Sequence, residues 1–203
     1  MFALSGIASA SASAALPVFS VAKASFAIKP ISEAVFHEIS EGVWTYPHAT
    51  GSGALISGSK EVSGVSLTLE EATGFACHNT NEYSSVWKPL HGHLGYINKA
   101  KTEVGLLLEP STQPIVKCES AYGPQEYLGS VIGRVTPVNT PTKELTVTFN
   151  QDAGNQEFKH FEGEEALHSL EWNRCNCGLG MEMKMQLGTF KANEKAVLME
   201  VKA

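Results

Sequence analysis

The chain reads as an all-β protein, an antiparallel β-sandwich or β-barrel of roughly 10 to 13 short strands. Three observations lead there. Runs of alternating polarity recur at about ten-residue spacing. Gly, Pro, Asn and Ser separate them, and the 203 residues include 18 Gly and 9 Pro. No coiled-coil heptad or fixed-period repeat competes with this pattern. With 43% apolar residues the chain can bury one good core. A single β domain over 16–203 is expected, with 16–58 as a candidate smaller N-terminal part.

Taken in order, 25–29 (SFAIK) is the first strand-like run. Residues 31–41 stay open between two readings. Ile31, Val35 and Ile39 recur every four residues as in a helix, whereas Val35, His37 and Ile39 alternate as in a strand. Residues 51–58 lead into 62–69, where Val62, Val65, Leu67 and Leu69 mark a strand interrupted by Gly64. Separate strands follow at 84–88 and 92–97. The strongest hairpin signal is 94–108, with apolar arms around the basic turn Asn98-Lys99-Ala100-Lys101-Thr102. Further strands are expected at 103–109, 115–119, 127–136, 145–150, 166–172, 181–187 and 196–201. In 162–174 a helical spacing of Leu167, Leu170 and Arg174 competes, but the alternation of Ala166, Leu170 and Trp172 favours a strand.

Composition excludes several chemistries. Of 21 acidic residues only Asp152 is Asp, which leaves no Asp-rich calcium loop and no Asp–Asp pair. A net charge of −6 argues against a phosphate-tracking surface, so nucleic acid is not an expected partner. No apolar run reaches the length of a transmembrane helix. The first charge is Lys23, and Ala12-Ser13-Ala14 fits the small-x-small site of a signal peptidase. Residues 1–15 are therefore expected to be the remnant of a signal peptide whose start lies upstream, and the protein to be secreted or envelope-associated. Four cysteines suit an oxidising compartment. Cys77 and Cys118 could close a loop of about 40 residues, while a bridge between Cys175 and Cys177 would be strained.

Four blocks carry a family likeness. They are Leu94-Gly95-Tyr96-Ile97-Asn98-Lys99-Ala100-Lys101 with Glu103-Val104-Gly105-Leu106, then Gly129-Ser130-Val131-Ile132-Gly133-Arg134-Val135-Thr136-Pro137-Val138-Asn139, then 145–150 with Phe161-Glu162-Gly163, and the 198–203 end. Together with the leader they resemble a family of uncharacterised secreted proteins of soil actinobacteria, over roughly residues 60–203. The resemblance implies secretion and an all-β fold, and carries no activity or site residue with it. That family has other residues where His91 and His93 stand, and a Gly-rich turn near 173–178, so the histidines, Cys175 and Cys177 are peculiar to this chain.

Three kinds of site are conceivable. Trp44, Tyr46, Tyr83 and Trp87, with Tyr122 and Tyr127, could form a stacking platform for sugars or another partner. Trp172 reads as core. His91 and His93 share a face if their segment is a strand, and could begin a metal site with His37, His78, Glu82 or the Cys175 and Cys177 pair; His168 with those cysteines is a second set. The run Glu162-Gly163-Glu164-Glu165 could supply paired carboxylates for glycoside hydrolysis. No catalytic residue is assigned, because no nucleophile elbow, zinc-protease helix, phosphate loop or dinucleotide fingerprint occurs. The leading expectation is a non-catalytic binding or structural protein, with cell-wall or extracellular polysaccharide or protein as possible partner classes and no cofactor. A secreted hydrolase and an extracellular metal-binding protein are the alternatives.

Overall fold

A computed structural model describes residues 15–22, 25–38, 42–70, 73–74, 84–110, 115–120, 123–152, 155–166, 171–172, 177–188 and 197–203. Within them the chain forms β1 (Val18–Val21), β2 (Ser25–Pro30), β3 (Ala34–Glu38), β4 (Gly42–Tyr46), β5 (His48–Leu55) and β6 (Glu61–Glu70). Next come β7 (Thr73–Gly74), β8 (Ser84–Tyr96), β9 (Val104–Pro110), β10 (Ile115–Ser120), β11 (Gly123–Leu128) and β12 (Val131–Thr136). The last are β13 (Glu144–Phe149), β14 (Gln151–Asp152), β15 (Asn155–Gln156), β16 (Glu171–Trp172), β17 (Cys177–Gly188) and β18 (Met199–Lys202). No helix occurs among the described residues, and 31–41, open between helix and strand, resolves as β3.

The architecture is a barrel rather than a sandwich. Strands β2, β5, β6, β8, β9, β12, β13 and β17 pair antiparallel in that order, and β17 returns to β2, closing eight strands on themselves. Closure removes the unpaired edges that an open sheet would present. The two longest strands set the height of the wall. At one end, β8 and β17 pair with β9 and β13 (Leu94↔Leu106, Val147↔Met185). Toward the other end the same two strands pair with β10, β16 and β3 (Ile115↔Val86, Glu171↔Gly178, Met181↔Phe36). We call the first the ribbon end, because the two-stranded β1–β18 ribbon crosses it, and the second the far end.

At the ribbon end the inner face is uniformly apolar. Along β13, Leu145, Val147 and Phe149 are buried and alternate with Glu144, Thr146 and Thr148; along β17, Met183, Met185 and Leu187 alternate with Lys184 and Gln186. This is the two-residue period of a strand with one dry face. Phe19, Met199 and Val201 of the ribbon join the same core and seal it. The hairpin turns hold the ribbon: Phe19 and Gly58 exchange with Ser59 and Phe19 (2.8 and 2.7 Å), and the Asn139 amide donates to the Val201 carbonyl (2.8 Å).

Several strand boundaries differ from the sequence reading. The runs at 84–88 and 92–97 are one strand, because the register slips between Val65↔Leu90 and Leu67↔Trp87, leaving an extra β8 residue beside Pro89. A proline has no N–H to give the ladder, and a bulge accommodates it. The run 127–136 is instead two strands, β11 and β12, divided at Gly129, whose φ is 91°. The expected strand at 166–172 is reduced to β16, with 167–170 outside the described residues.

Candidate functional site

The stacking platform is corrected first. Pairing of β3 with β4 sets Ala34 opposite Tyr46 and Phe36 opposite Trp44. Tyr46 is only 2% exposed and meets Phe36 edge-on, with ring centroids 5.6 Å apart. Val43, one position along, is 50% exposed. An exposed strip therefore cannot run through Tyr46; it belongs to the core because its strand turns that face inward. The side chains of Trp44, Trp87 and Tyr127 lie outside the described residues, and Tyr83 and Tyr122 lie outside them entirely.

Backbone register still assigns those positions to a sheet face. Directly opposed residues of an antiparallel pair share a face. Position 44 opposes Phe36, and position 87 opposes Leu67, both core residues. Counting by twos back from buried Met181, positions 179 and 177 fall on the inner face of β17. Position 172 opposes 177, and 127 opposes 172. All three tryptophans of the chain thus occupy inner-face positions in the far half of the barrel.

His91 and His93 stand on the outer face of β8, as the alternation predicts, but each meets its own carboxylate. His91 Nε2 lies 3.6 Å from Glu109 Oε2, and His93 Nε2 lies 3.4 Å from Glu164 Oε2. His37 Nε2 lies 3.3 Å from Glu182 Oε1. Among the described residues, no group of three or more His, Cys, Asp and Glu comes together to hold a metal. His78, Glu82, His168, Cys77 and Cys175 lie outside the described residues; so do the side chains of Cys118 and Cys177.

The acidic run 162–165 serves as a clasp. The chain turns at Gly163 (φ 86°), and Glu164 receives both His93 and Lys60 Nζ, the latter at 3.9 Å. This turn ends a strap, 156–166, laid along the outer wall. Its anchor is Phe161, buried with Leu107 and Ile132 and flanked by Ile97 and Phe158. Cross-strand Gly95 and Gly105 make its seat: a Cβ at 95 would overlap the Phe161 ring, and one at 105 would come within 2.6 Å of Ile132 and Ile97. Arg134 holds the upstream part, donating to Glu103 (3.1 Å) and Glu157 (3.2 Å) beneath the Phe158 ring. Gln156 Nε2 donates to the Ser130 carbonyl at 2.6 Å.

Sequence reasoning missed this strap, although one signal pointed to it: two glycines placed symmetrically about the 98–102 turn. The turn itself is held by Asn98 Oδ1, which accepts from the Thr102 and Glu103 amides (2.9 and 3.2 Å), with Lys101 at φ 56°. The blocks that carry the family resemblance are thus occupied with the turn, the glycine seat, the Arg134 anchor and the Asn139 tie. They speak to folding rather than chemistry. No protein-family model, curated protein or solved structure matches the chain.

Proposed function

We propose that the protein is a secreted or envelope-associated barrel, of the kind its sequence blocks resemble in soil actinobacteria, and that it works by binding rather than by catalysis. The observation that carries this reading is the closed wall with an apolar inner face and a polar outer one. Its described ionisable groups are dispersed over the outside in separate pairs, Glu182 with His37, Glu109 with His91, Glu164 with His93 and Lys60, and Arg134 with Glu103 and Glu157. Acid–base or nucleophilic chemistry needs such groups to converge on one reacting atom. Glu164, the best placed of the suspected hydrolytic carboxylates, is committed to the strap. With Tyr46 in the core, binding through an outer aromatic strip loses support, and the barrel interior takes its place.

Export is supported from the other end of the chain. Cleavage after Ala14 would leave Ala15, whose carbonyl accepts the Tyr96 hydroxyl at 2.8 Å, and would leave the β1 ribbon intact. Protein expressed behind a complete signal sequence in an actinobacterial host is expected in the medium, with Ala15 or Leu16 as its first residue by mass spectrometry. Retention in the cells with Met1 intact would overturn the export reading.

A further inference from the structure

The two halves of the barrel interior differ in composition. Toward the ribbon end, inner-face positions carry Leu, Val, Ile, Met and Phe, with Tyr96 at the rim. In the far half the same face carries Trp44, Trp87, Tyr127 and Trp172 next to buried Phe36 and Tyr46. Polar residues share that face. Glu38 follows Phe36 by two along β3 and opposes Leu179; Ser85 opposes buried Leu69; Gln125 opposes Val116, which itself opposes Ser85. A dry core excludes an unpaired carboxylate and amide, because desolvating them without partners is costly. Aromatic surface with a few polar groups is instead the composition of a small-molecule site, and an eight-stranded barrel has room for one small ligand.

We propose that this juxtaposition, three Trp and a Tyr with Glu38 and Gln125 on one inner face at the far end of a closed barrel, is a binding site for a flat apolar molecule that is neutral or cationic. The aromatic positions favour a planar body that can stack. Glu38 and the net charge of −6 disfavour an anion. The ribbon closes the opposite end, so the ligand enters from the far end. This inference rests on the binding reading above and extends it to a ligand class.

A matched pair of dyes tests it on the full chain: N-phenyl-1-naphthylamine, which is neutral, and its 8-sulfonate, which is anionic. The neutral dye is expected to saturate at one per chain and to quench the tryptophan emission, since every tryptophan shares the site's face. The sulfonate is expected to bind about tenfold more weakly, with Glu38→Gln narrowing that gap. Trp87→Leu is expected to weaken the neutral dye by about tenfold, Trp87→Phe to retain most binding, and Val43→Ser, on the outer face of β4, to change nothing. Absence of saturable binding overturns the proposal, as does loss of binding in Val43→Ser equal to that in Trp87→Leu. Should Trp87→Leu fail to fold, equal affinity for both dyes in the native chain overturns it instead. Failure with the dyes in a protein recovered from the medium refutes the site and leaves export standing. Dye binding by a protein retained in the cytosol refutes export and leaves the site standing.

Discussion

Gly95 and Gly105 determine where Phe161 can lie, because the ring occupies the space their side chains would fill. Gly95→Ala is expected to destabilise the fold by about 2 to 4 kcal/mol, close to the cost of losing a buried aromatic side chain. In a Phe161→Ala background the same change should cost well under 1 kcal/mol, since the clash is gone; a double-mutant cycle by urea unfolding measures the difference. Additive effects would show that Phe161 does not rest on Gly95. By contrast, Glu164→Gln removes partners of His93 and Lys60 that are themselves partly solvated, and should cost less than about 1 kcal/mol. The glycine pair was visible in the sequence as a symmetry about the turn. The Phe161 contact was not, because 56 intervening residues separate nothing that periodicity can relate. The lone Asp152 has no explanation in the described structure.

Strand positions were legible wherever one face is dry. The alternation in 62–69, 145–150 and 181–187 appears as β6, β13 and the ribbon-end half of β17. What was not legible is how interruptions are absorbed. Pro89 reads as a break but is a bulge, whereas Gly129 lies inside an apparent strand and divides it. Gly64 sits at φ 57° with open space about its Cα, at the slip between Val62↔Gly92 and Val65↔Leu90. Gly64→Ala should therefore cost about 1 kcal/mol from backbone conformation alone, and Gly64→Asn less, with thermal or urea unfolding as the measurement. A larger loss would mean that the site is packed. Phe19→Ala should cost about 3 to 5 kcal/mol by opening the ribbon seal. The ladder also limits the cysteines. Cys118 on β10 and Cys177 on β17 are separated by β11 and β16, three strand steps or about 14 Å, beyond the reach of a disulfide. Peptide mapping under non-reducing conditions should find no such link; finding one would show that the far-end strand order is wrong.

For the molecule as a whole, sandwich and barrel share one alternation of apolar and polar residues, so the sequence could not choose between them. The choice rests on β17 pairing with β2, a contact between opposite ends of the chain. The same closure explains why the aromatic candidates were misplaced: a sheet that closes has an inner face, and the rings expected on a surface lie on it. Glu61, Thr68, Glu70, Glu182 and Lys184 occupy the outer positions. This is the reverse of a membrane-spanning barrel, whose outer band is apolar. The central claim is that this barrel binds through the inner face of its far half. Hydrogen exchange with and without N-phenyl-1-naphthylamine tests it most directly. Ligand protection is expected in β3, β4, the first residues of β8, β11 and β16, with 94–108 and the β1–β18 ribbon unchanged; protection confined to the ribbon end or the outer strap would contradict it.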